Sequence, residues 1–285
     1  MRDSAKKKIA ILFSGGTDST VAAALMAEKF DVVHLVTYDR FGLYSASNAI
    51  TNIRKLKERS GSEKFVHSII PINKIMKHVF YERYLRNVLK FRFFLVSNCG
   101  LCKLAMHVRT VIFCLENEIA NVCDGANKGM RIFPDQMDCV LGEIKGMYSS
   151  FGIDYSNPVF NFAPPQDIDY PKKFNLQDIL LPLGKGGDDI LDRKMTTGHK
   201  AYELGLLPSD NVKGTKIDRD MQGFCQQLVL SNIFILWYYL YDHDIKEYQD
   251  RSRIFYREKI KYFSGLLKEY QTNKLESKLF KLIER

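Results

Sequence analysis

The sequence predicts an α/β protein built on a doubly wound parallel sheet, with a mainly helical C-terminal extension. Three observations predict this fold. Short apolar runs alternate with helical stretches over the first 160 residues, a glycine-rich turn follows the first apolar run, and the chain beyond residue 187 is helical in character. Each strand–helix–strand crossover should be right-handed.

Five strands are expected, because buried parallel strands appear as short apolar or β-branched runs. They are Lys8–Phe13, Asp31–Tyr38, Lys64–Ile70, Ala120–Cys123 and Tyr155–Phe160. The intervening stretches have helical composition or are bounded by stop signals such as Gly61 and Pro71. They are Asp18–Phe30, Ser45–Ser60, Asn73 to about Val96, Cys102–Glu118 and Asp135–Phe151.

A change in composition marks the end of the α/β part. Four prolines and three glycines fall between residues 161 and 187, which is typical of a linker or loop zone. We therefore expect an α/β domain over residues 1–163 and a helical C-terminal region over residues 164–285.

The net charge of +9 is concentrated in two segments. Residues 54–92 contain eleven Lys or Arg and three Glu, and residues 250–285 contain ten Lys or Arg and five acids. Such segments favour polyanions such as RNA, although a solvated basic face is the alternative.

The composition indicates a cytoplasmic protein. The charged N-terminus has no signal-peptide pattern, and the longest apolar stretch, Leu228–Tyr241, is shorter than the roughly 20 residues that span a bilayer. We expect no membrane segment. Because a reducing compartment disfavours disulfides, the six cysteines are expected to be core residues, metal ligands or catalytic thiols.

The strongest motif is the first loop, Ser14–Ser19, which lies directly between a strand and a helix. Its glycines allow backbone N–H groups to surround an anion, and the helix N-terminus adds further donors. The sequence matches neither the Walker loop nor the dinucleotide fingerprint. Asp18 would repel a bare phosphate, so its presence suggests a Mg²⁺ ion between carboxylate and phosphates. A tight turn with an Asp or Ser cap is the alternative.

This loop, SGGTDS, resembles the S-G-G-x-D-S signature of the PP-loop ATP pyrophosphatases. The resemblance implies a sheet with strand order 3-2-1-4-5 and cleavage of ATP to AMP and pyrophosphate. Carried over by position, the pyrophosphate would be held by Ser14, Gly15, Gly16, Thr17, Asp18 and Ser19.

The second loop, Asp124-Gly125-Ala126-Asn127, follows the fourth strand and is similar to a D-G-[TS]-N segment of several PP-loop enzymes. Ligands of doubly wound sheets bind where the strand order reverses, which here lies between strands one and four. The second loop should therefore face the first. An Asx-type turn would also explain the motif. Tyr38 and Asp39, at the end of strand two, are the expected neighbours of the adenosine.

Cys99 and Cys102 form a CxxC pair at a helix start, where the helix dipole is expected to lower the thiol pKa. Four interpretations stay open from the residues alone. They are a dithiol redox pair, a zinc site with His107, core packing, and an iron–sulfur cluster.

The position of the CxxC pair resembles that in the iron–sulfur-dependent thiolation enzymes of the PP-loop class, such as the tRNA 2-thiocytidine type. This resemblance implies a [4Fe-4S] cluster held by Cys99, Cys102 and one distant cysteine, with one iron open to carry sulfide. We choose Cys225 as the third ligand because it follows a polar, charged stretch. The remaining cysteines, Cys114, Cys123 and Cys139, are interpreted as core residues, with Cys123 the next candidate.

Together these features predict an ATP-dependent adenylating enzyme, a sulfurtransferase with Asp18, Cys99, Cys102 and Cys225 as catalytic residues. It would use ATP, Mg²⁺, a sulfur donor and an acceptor that is either a tRNA base or a small molecule; a homodimer is left open. One alternative is an amide- or nitrile-forming synthetase that uses ammonia, with a structural or zinc-binding CxxC. Another is an ATP- or RNA-binding module without turnover.

Overall fold

The computed structural model describes residues 6–92, 98–163, 195–212, 215–235, 241 and 243–284. Its strands are β1 (Lys8–Leu12), β2 (Val32–Asp39), β3 (Leu43–Tyr44), β4 (Phe65–Pro71), β5 (Asn121–Asp124), β6 (Asp154–Ser156) and β7 (Phe224–Cys225). Its α-helices are α1 (Thr17–Ala27), α2 (Ile50–Ser60), α3 (Asn73–Tyr81), α4 (Tyr84–Phe91), α5 (Asn98–Asn117), α6 (Asp138–Ser149), α7 (Thr197–Glu203), α8 (Lys216–Met221), α9 (Gln226–Asn232), α10 (Ile245–Thr272) and α11 (Lys278–Leu282).

Five strands form one parallel sheet in the order β4-β2-β1-β5-β6. Counted along the chain within this sheet, the order is 3-2-1-4-5, which confirms the predicted doubly wound fold. Ile11 of β1 lies opposite Leu35 on one side and Cys123 on the other. The strand order reverses between β1 and β5, so the loops that follow these two strands meet at one edge of the sheet.

Two core clusters cover the two faces of the sheet. Ile9 and Ile11 pack with α1 and α2, whereas Ala10 and Leu12 pack with α3, α5, α6 and α10. This division follows from the strand period of two, which points successive side chains to opposite faces. Both faces are covered, as expected for a parallel sheet.

The C-terminal helix α10 contributes Tyr248, Phe255 and Phe263 to the same core cluster as α5 and α6. Helix α10 therefore packs on one face of the sheet, whereas Ala201 of α7 and Met221 of α8 belong to the core cluster on the other face. The expected linker lies outside the described residues from residue 164 onward, so the boundary at residues 163 and 164 stays a prediction.

Several element boundaries differ from the sequence-based expectation. The single long helix expected from Asn73 is two helices, because Arg83 between them adopts a left-handed conformation with φ +48°. The fifth strand ends at Ser156 instead of Phe160. In addition, the short antiparallel pair β3–β7 was not expected, since two-residue strands leave no periodic pattern in a sequence.

One helix in the described part of the chain, α5, has the length and apolar composition to cross a membrane. Seventy-two per cent of its most apolar stretch is buried inside the protein. It packs between the sheet and α10 as a core helix.

Candidate functional site

The first loop is closely packed against two other parts of the chain. Gly15 has φ +84°, and a side chain there would approach the Cα atom of Ala49 to 2.7 Å. A side chain at Gly16 would approach Oε1 of Gln222 to 2.6 Å. Gly15 is therefore required by packing as well as by its backbone conformation, whereas Gly16 has an extended backbone and meets only the end of a flexible side chain.

The hydroxyl groups of the first loop divide into two sets. Ser19 and Thr20 are buried and donate hydrogen bonds to the carbonyl of Gly16, at 3.0 and 2.8 Å. They hold the turn between β1 and α1. Ser14 is exposed and Thr17 is half-buried, so these two hydroxyls remain accessible to a ligand.

Asn52 of α2 also holds the first loop and was missed by the sequence analysis. Its side-chain amide donates a 2.7 Å hydrogen bond to the carbonyl of Gly15, and it is fully buried. Because Asn52 lies 37 residues from the loop in an otherwise unremarkable amphipathic helix, no local motif indicates this function.

Asp18 is half-buried at the start of α1, where it accepts a 2.6 Å hydrogen bond from Thr197 of α7. Burial raises the pKa of this carboxyl, and the hydrogen bond from Thr197 opposes that increase. The metal-facing position expected for Asp18 stays a prediction.

The second loop faces the first, as expected. A side chain at Gly125 would approach the backbone nitrogen of Ser19 to 2.6 Å, so only glycine permits this contact between the two loops. Asp124 accepts a 3.0 Å hydrogen bond from the backbone of Ala126, and Asn127 accepts one of 2.8 Å from Gly129. These two bonds form the Asx-type turns that the sequence analysis had left as an alternative.

Asp124 is fully buried and is the centre of a polar network. Lys103 forms a 2.9 Å ion pair with Oδ2, and Asn157 donates a 2.6 Å hydrogen bond to Oδ1. Burial raises the pKa of Asp124, but Lys103 and His107 together lower it by more than burial raises it. The pKa of Asp124 therefore lies below the ordinary carboxyl value. The sequence alone did not indicate this function of Lys103.

The three cysteines predicted as cluster ligands lie in one neighbourhood, although they are 126 positions apart at the extremes. Cys99 and Cys102 are the second and fifth residues of α5, and Cys225 is the second residue of β7. Burial, and then the nearby Asp135 carboxylate, raise the pKa of Cys99. The thiols of Cys225 and Cys102 raise it as well, which shows that they lie near Cys99. We call Cys99, Cys102, Cys225 and Arg40 the cysteine site.

Arg40 was not expected in this site. Its Nη2 atom donates to the sulfur of Cys225 at 3.7 Å, and its Nη1 atom donates to the carbonyl of Tyr38 at 3.1 Å. Burial raises the pKa of Cys102, and Arg40 is the largest opposing influence. The expectation that the helix start lowers both thiol pKa values is wrong for Cys99 and Cys102, because burial outweighs the dipole.

The CxxC turn is held by the C-terminal helices. Cys99 donates its backbone N–H to Ser231 at 3.1 Å and its thiol to the carbonyl of Gln227 at 3.6 Å. Gly100, between the two cysteines, lies directly under the ring of Tyr256, which leaves no room for a side chain. This contact explains why the first intervening residue of the CxxC is glycine.

The other cysteines lie apart from the cysteine site. Cys123 is fully buried among the residues that pack with α1 and α2, on the opposite face of the sheet from Cys102. Cys114 is buried in α5, and half-buried Cys139 donates its thiol to the carbonyl of Gln249 at 3.8 Å. Their placement agrees with their interpretation as packing residues.

Of the two residues expected next to the adenosine, Tyr38 is buried and Asp39 is exposed. The Tyr38 side chain is buried in the core, where its hydroxyl lies 2.7 Å from that of Thr110. It therefore faces α5 and not the open edge of the sheet. Asp39 is exposed at that edge.

Within the residues that the structure describes, no group of three His, Cys, Asp or Glu side chains converges on a single point suitable for a metal ion. A mononuclear zinc site requires such convergence. In a cubane cluster each thiolate binds a different iron, so its ligands are spread around the cluster.

No model of a known protein family matches the sequence, and no curated protein matches it. Three solved structures are similar to the chain in fold. A predicted subunit of tRNA methyltransferase from Methanocaldococcus jannaschii is 19% identical, with a TM-score of 0.36, over 55% of this chain and 70% of that one. A 4-thiouridine synthetase, solved with RNA and bound ATP, is 14% identical with a TM-score of 0.45, over 91% of this chain and 53% of that one.

The third is the U34-tRNA thiolase NcsA from Methanococcus maripaludis with its [4Fe-4S] cluster, which is 13% identical with a TM-score of 0.32, over 93% of this chain and 74% of that one. The chain spans about half the length of the 4-thiouridine synthetase chain. At these identities the likeness concerns the fold alone. The sheet order and the two facing loops agree with the arrangement that the resemblance of the first motif implied.

Proposed function

We propose that the chain is an ATP-dependent adenylating sulfurtransferase, which cleaves ATP to AMP and pyrophosphate and transfers sulfur to an activated acceptor. One observation carries this proposal: a single short segment, residues 221–225, joins the first loop to the cysteine site. The carbonyl of Met221 lies against Gly15, and Gln222 lies against Gly16. Three residues further, Cys225 contacts Arg40.

The length of this segment limits the distance between the two sites. An extended chain advances at most about 3.5 Å per residue, so Gln222 and Cys225 are separated by no more than about 10 Å along the backbone. A nucleotide held by the first loop would therefore have its phosphates within reach of chemistry at the cysteine site. Such proximity is what sulfur transfer to an acceptor activated by the nucleotide would require.

The first loop is suited to bind the pyrophosphate of ATP. The N-terminus of α1 offers backbone donors and a positive dipole end, and the hydroxyls of Ser14 and Thr17 are accessible. Asp18 would hold Mg²⁺, and this ion would reduce the charge that builds up on the leaving pyrophosphate. Asp124, Gly125 and Asn127 complete the nucleotide site from the other side of the switch point.

The cysteine site is suited to hold a [4Fe-4S] cluster through Cys99, Cys102 and Cys225, since three thiols are the number that leaves one iron without a protein ligand. When bound, the cluster would supply an iron that accepts an external sulfide. Arg40 would place a fixed positive charge beside this anionic group. Thiolates must replace thiols for binding, so the burial that raises the pKa of Cys99 and Cys102 makes cluster binding release protons.

The reaction can be written so that its atoms balance. A carbonyl-type oxygen of the acceptor attacks the α-phosphorus of ATP, and pyrophosphate leaves. Hydrosulfide then forms a C–S bond at the activated carbon, a proton is lost, and AMP leaves with the former carbonyl oxygen. The acceptor is a tRNA base or a small molecule.

The test is the product pattern of the anaerobically purified chain with ATP, Mg²⁺ and acceptor. We expect AMP and pyrophosphate, and we expect Asp18→Asn to abolish their release while the protein stays folded. Thr197→Val is the matched control, because it removes the hydrogen bond to Asp18 but keeps the carboxylate. Release of ADP and phosphate would refute the proposal. AMP release by a colourless, iron-free protein would favour the synthetase that uses ammonia.

A further inference from the structure

The two basic segments of the sequence, which are about 160 residues apart, converge on one groove. The groove lies between α3 and the loop that follows it on one side and α10 and α11 on the other, and its volume is about 530 Å³. We propose that this groove binds the phosphate backbone of an RNA acceptor. The inference deepens the proposed function, on which it rests, by naming the acceptor class and the surface that receives it.

Four cations line the groove. Lys74 and Lys77 come from α3, Arg83 comes from the break between α3 and α4, and Lys278 begins α11. All four residues are exposed, so their charges are available to a ligand in solvent. Phosphate contacts of this kind supply most of the affinity of proteins for nucleic acids.

The other titratable groups of the groove do not cancel this charge. Glu82 is the one carboxylate among the described residues that line it, and it is buried beside Lys259 at 3.5 Å and Arg83 at 2.9 Å. The pKa of His78 is lowered to about 4 by burial, then by Lys278 and Lys259, so this imidazole is neutral at physiological pH. The groove therefore carries a net positive charge.

Two tyrosine rings accompany the cations. Tyr81 is 62% exposed at the end of α3. The guanidinium of Arg83 lies 5.0 Å from the ring centroid of Tyr262, which holds that cation in place. Exposed aromatic rings next to cations are typical of surfaces that stack unpaired bases while they bind the backbone. A surface for an acidic peptide would need only the cations.

The groove begins at the edge of the sheet that carries the cysteine site. Asn73, the first residue of α3, accepts a 2.6 Å hydrogen bond from the backbone of Phe41. Phe41 follows Arg40, which contacts Cys225, and Lys74 follows Asn73. An RNA chain bound along the groove would thus lead toward the sulfur-transfer site.

The experiment measures binding of an unmodified, fluorescently labelled tRNA transcript to the full chain over a range of salt concentrations. We expect Lys77→Ala and Lys278→Ala each to lower the slope of log K against log salt by about one, and the double variant by about two. Near about 0.15 M salt, one lost phosphate contact should weaken binding about fivefold. Lys145→Ala on α6 is the control, because Lys145 is exposed but does not line the groove.

Unchanged slopes in both groove variants would overturn the inference, as would absence of RNA binding at low salt. Binding to phosphatidylserine vesicles instead of RNA would assign the groove to a membrane surface. The AMP assay separates this inference from the proposed function. If the chain binds RNA through the groove but releases ADP, only the proposed function is refuted. If it releases AMP with a small acceptor and does not bind RNA, only this inference is refuted.

Discussion

Lys103, the residue directly after Cys102, forms a 2.9 Å ion pair with Asp124, the first residue of the second loop. The pair connects the turn that carries the CxxC cysteines to the loop that faces Ser14–Ser19. Asp124 is fully buried, and the pKa of Lys103 is raised because Asp124 and Asp135 outweigh the opposing effect of burial. This buried ion pair therefore joins the CxxC turn to the second loop.

Replacing Lys103 with methionine should destabilise the chain by about 3–5 kcal/mol, because Asp124 would be left buried without its counter-charge. Urea unfolding measures the loss. The double variant Lys103→Met/Asp124→Asn should recover part of it, since it removes the carboxylate as well. Lys145→Met, at an exposed lysine, should change the free energy of unfolding by less than about 0.5 kcal/mol. A cost at Lys103 no larger than at Lys145 would show that the ion pair does not hold the CxxC turn to the second loop.

His107 predicts a specific pH dependence of stability. Burial, and then Lys103, lowers the pKa of this imidazole to about 3, although Asp124 raises it. The unfolded chain binds a proton at His107 below a pH of about 6.5, whereas the folded chain does not until about pH 3. The stability that depends on neutral His107 is therefore present above pH 6.5 and is lost as the pH falls.

The measurement is urea unfolding of the unaltered chain and of His107→Gln between about pH 7.5 and pH 4.5. A single proton of difference corresponds to a slope of about 1.4 kcal/mol per pH unit. We expect the variant to lose part of this slope below about pH 6 and none of it above pH 7. Parallel curves over the whole range would mean that His107 is not held neutral by its surroundings.

Gly125 and Gly146 form a matched pair for testing the contact between the two loops. A methyl group at Gly125 would approach the backbone nitrogen of Ser19 to 2.6 Å, whereas one at Gly146 of α6 meets nothing within 4 Å. Gly125→Ala should weaken ATP binding by separating the second loop from the first. Gly146→Ala should leave ATP binding unchanged and stabilise the helix by up to about 1 kcal/mol. Calorimetric titration with ATP distinguishes the two, and equal affinities would contradict the facing arrangement of the loops.

The sequence predicted the sheet and the two loops because both depend on local patterns. Apolar runs mark the strands, and SGGTDS stands at a strand–helix junction that is visible without a structure. The sequence could not predict the contacts of Asn52 and Arg40. Each contacts a residue that is distant along the chain, and neither lies in a recognisable motif. The break at Arg83 was also hidden, since the left-handed backbone occurs at an arginine, where neither glycine nor proline marks it in the sequence.

The sequence analysis chose Cys225 over Cys123 as the third cluster ligand, and the different positions of these two residues allow this prediction to be tested. Cys225, on β7, accepts a hydrogen bond from Arg40 and raises the pKa of both Cys99 and Cys102. Cys123 is instead buried in the core on the opposite face of the sheet. A thiol in that core could reach a cluster only if β5 were displaced from its position between β1 and β6.

Serine replacements at Cys99, Cys102 and Cys225 should therefore each lower the iron content of the anaerobically purified chain and abolish sulfur transfer. ATP binding should persist in all three, because the first loop is held by hydrogen bonds and packing that involve no thiol. Cys139→Ser is the control at a half-buried cysteine, and it should cost about 1 kcal/mol of stability without loss of iron. Iron analysis and the visible absorbance of the protein measure the outcome. If Cys225→Ser retains full iron and activity, Cys225 is not the third ligand. Cys123 lies on the opposite face of the sheet from the other two thiols. A cluster held by Cys99, Cys102 and either of these cysteines would then be refuted.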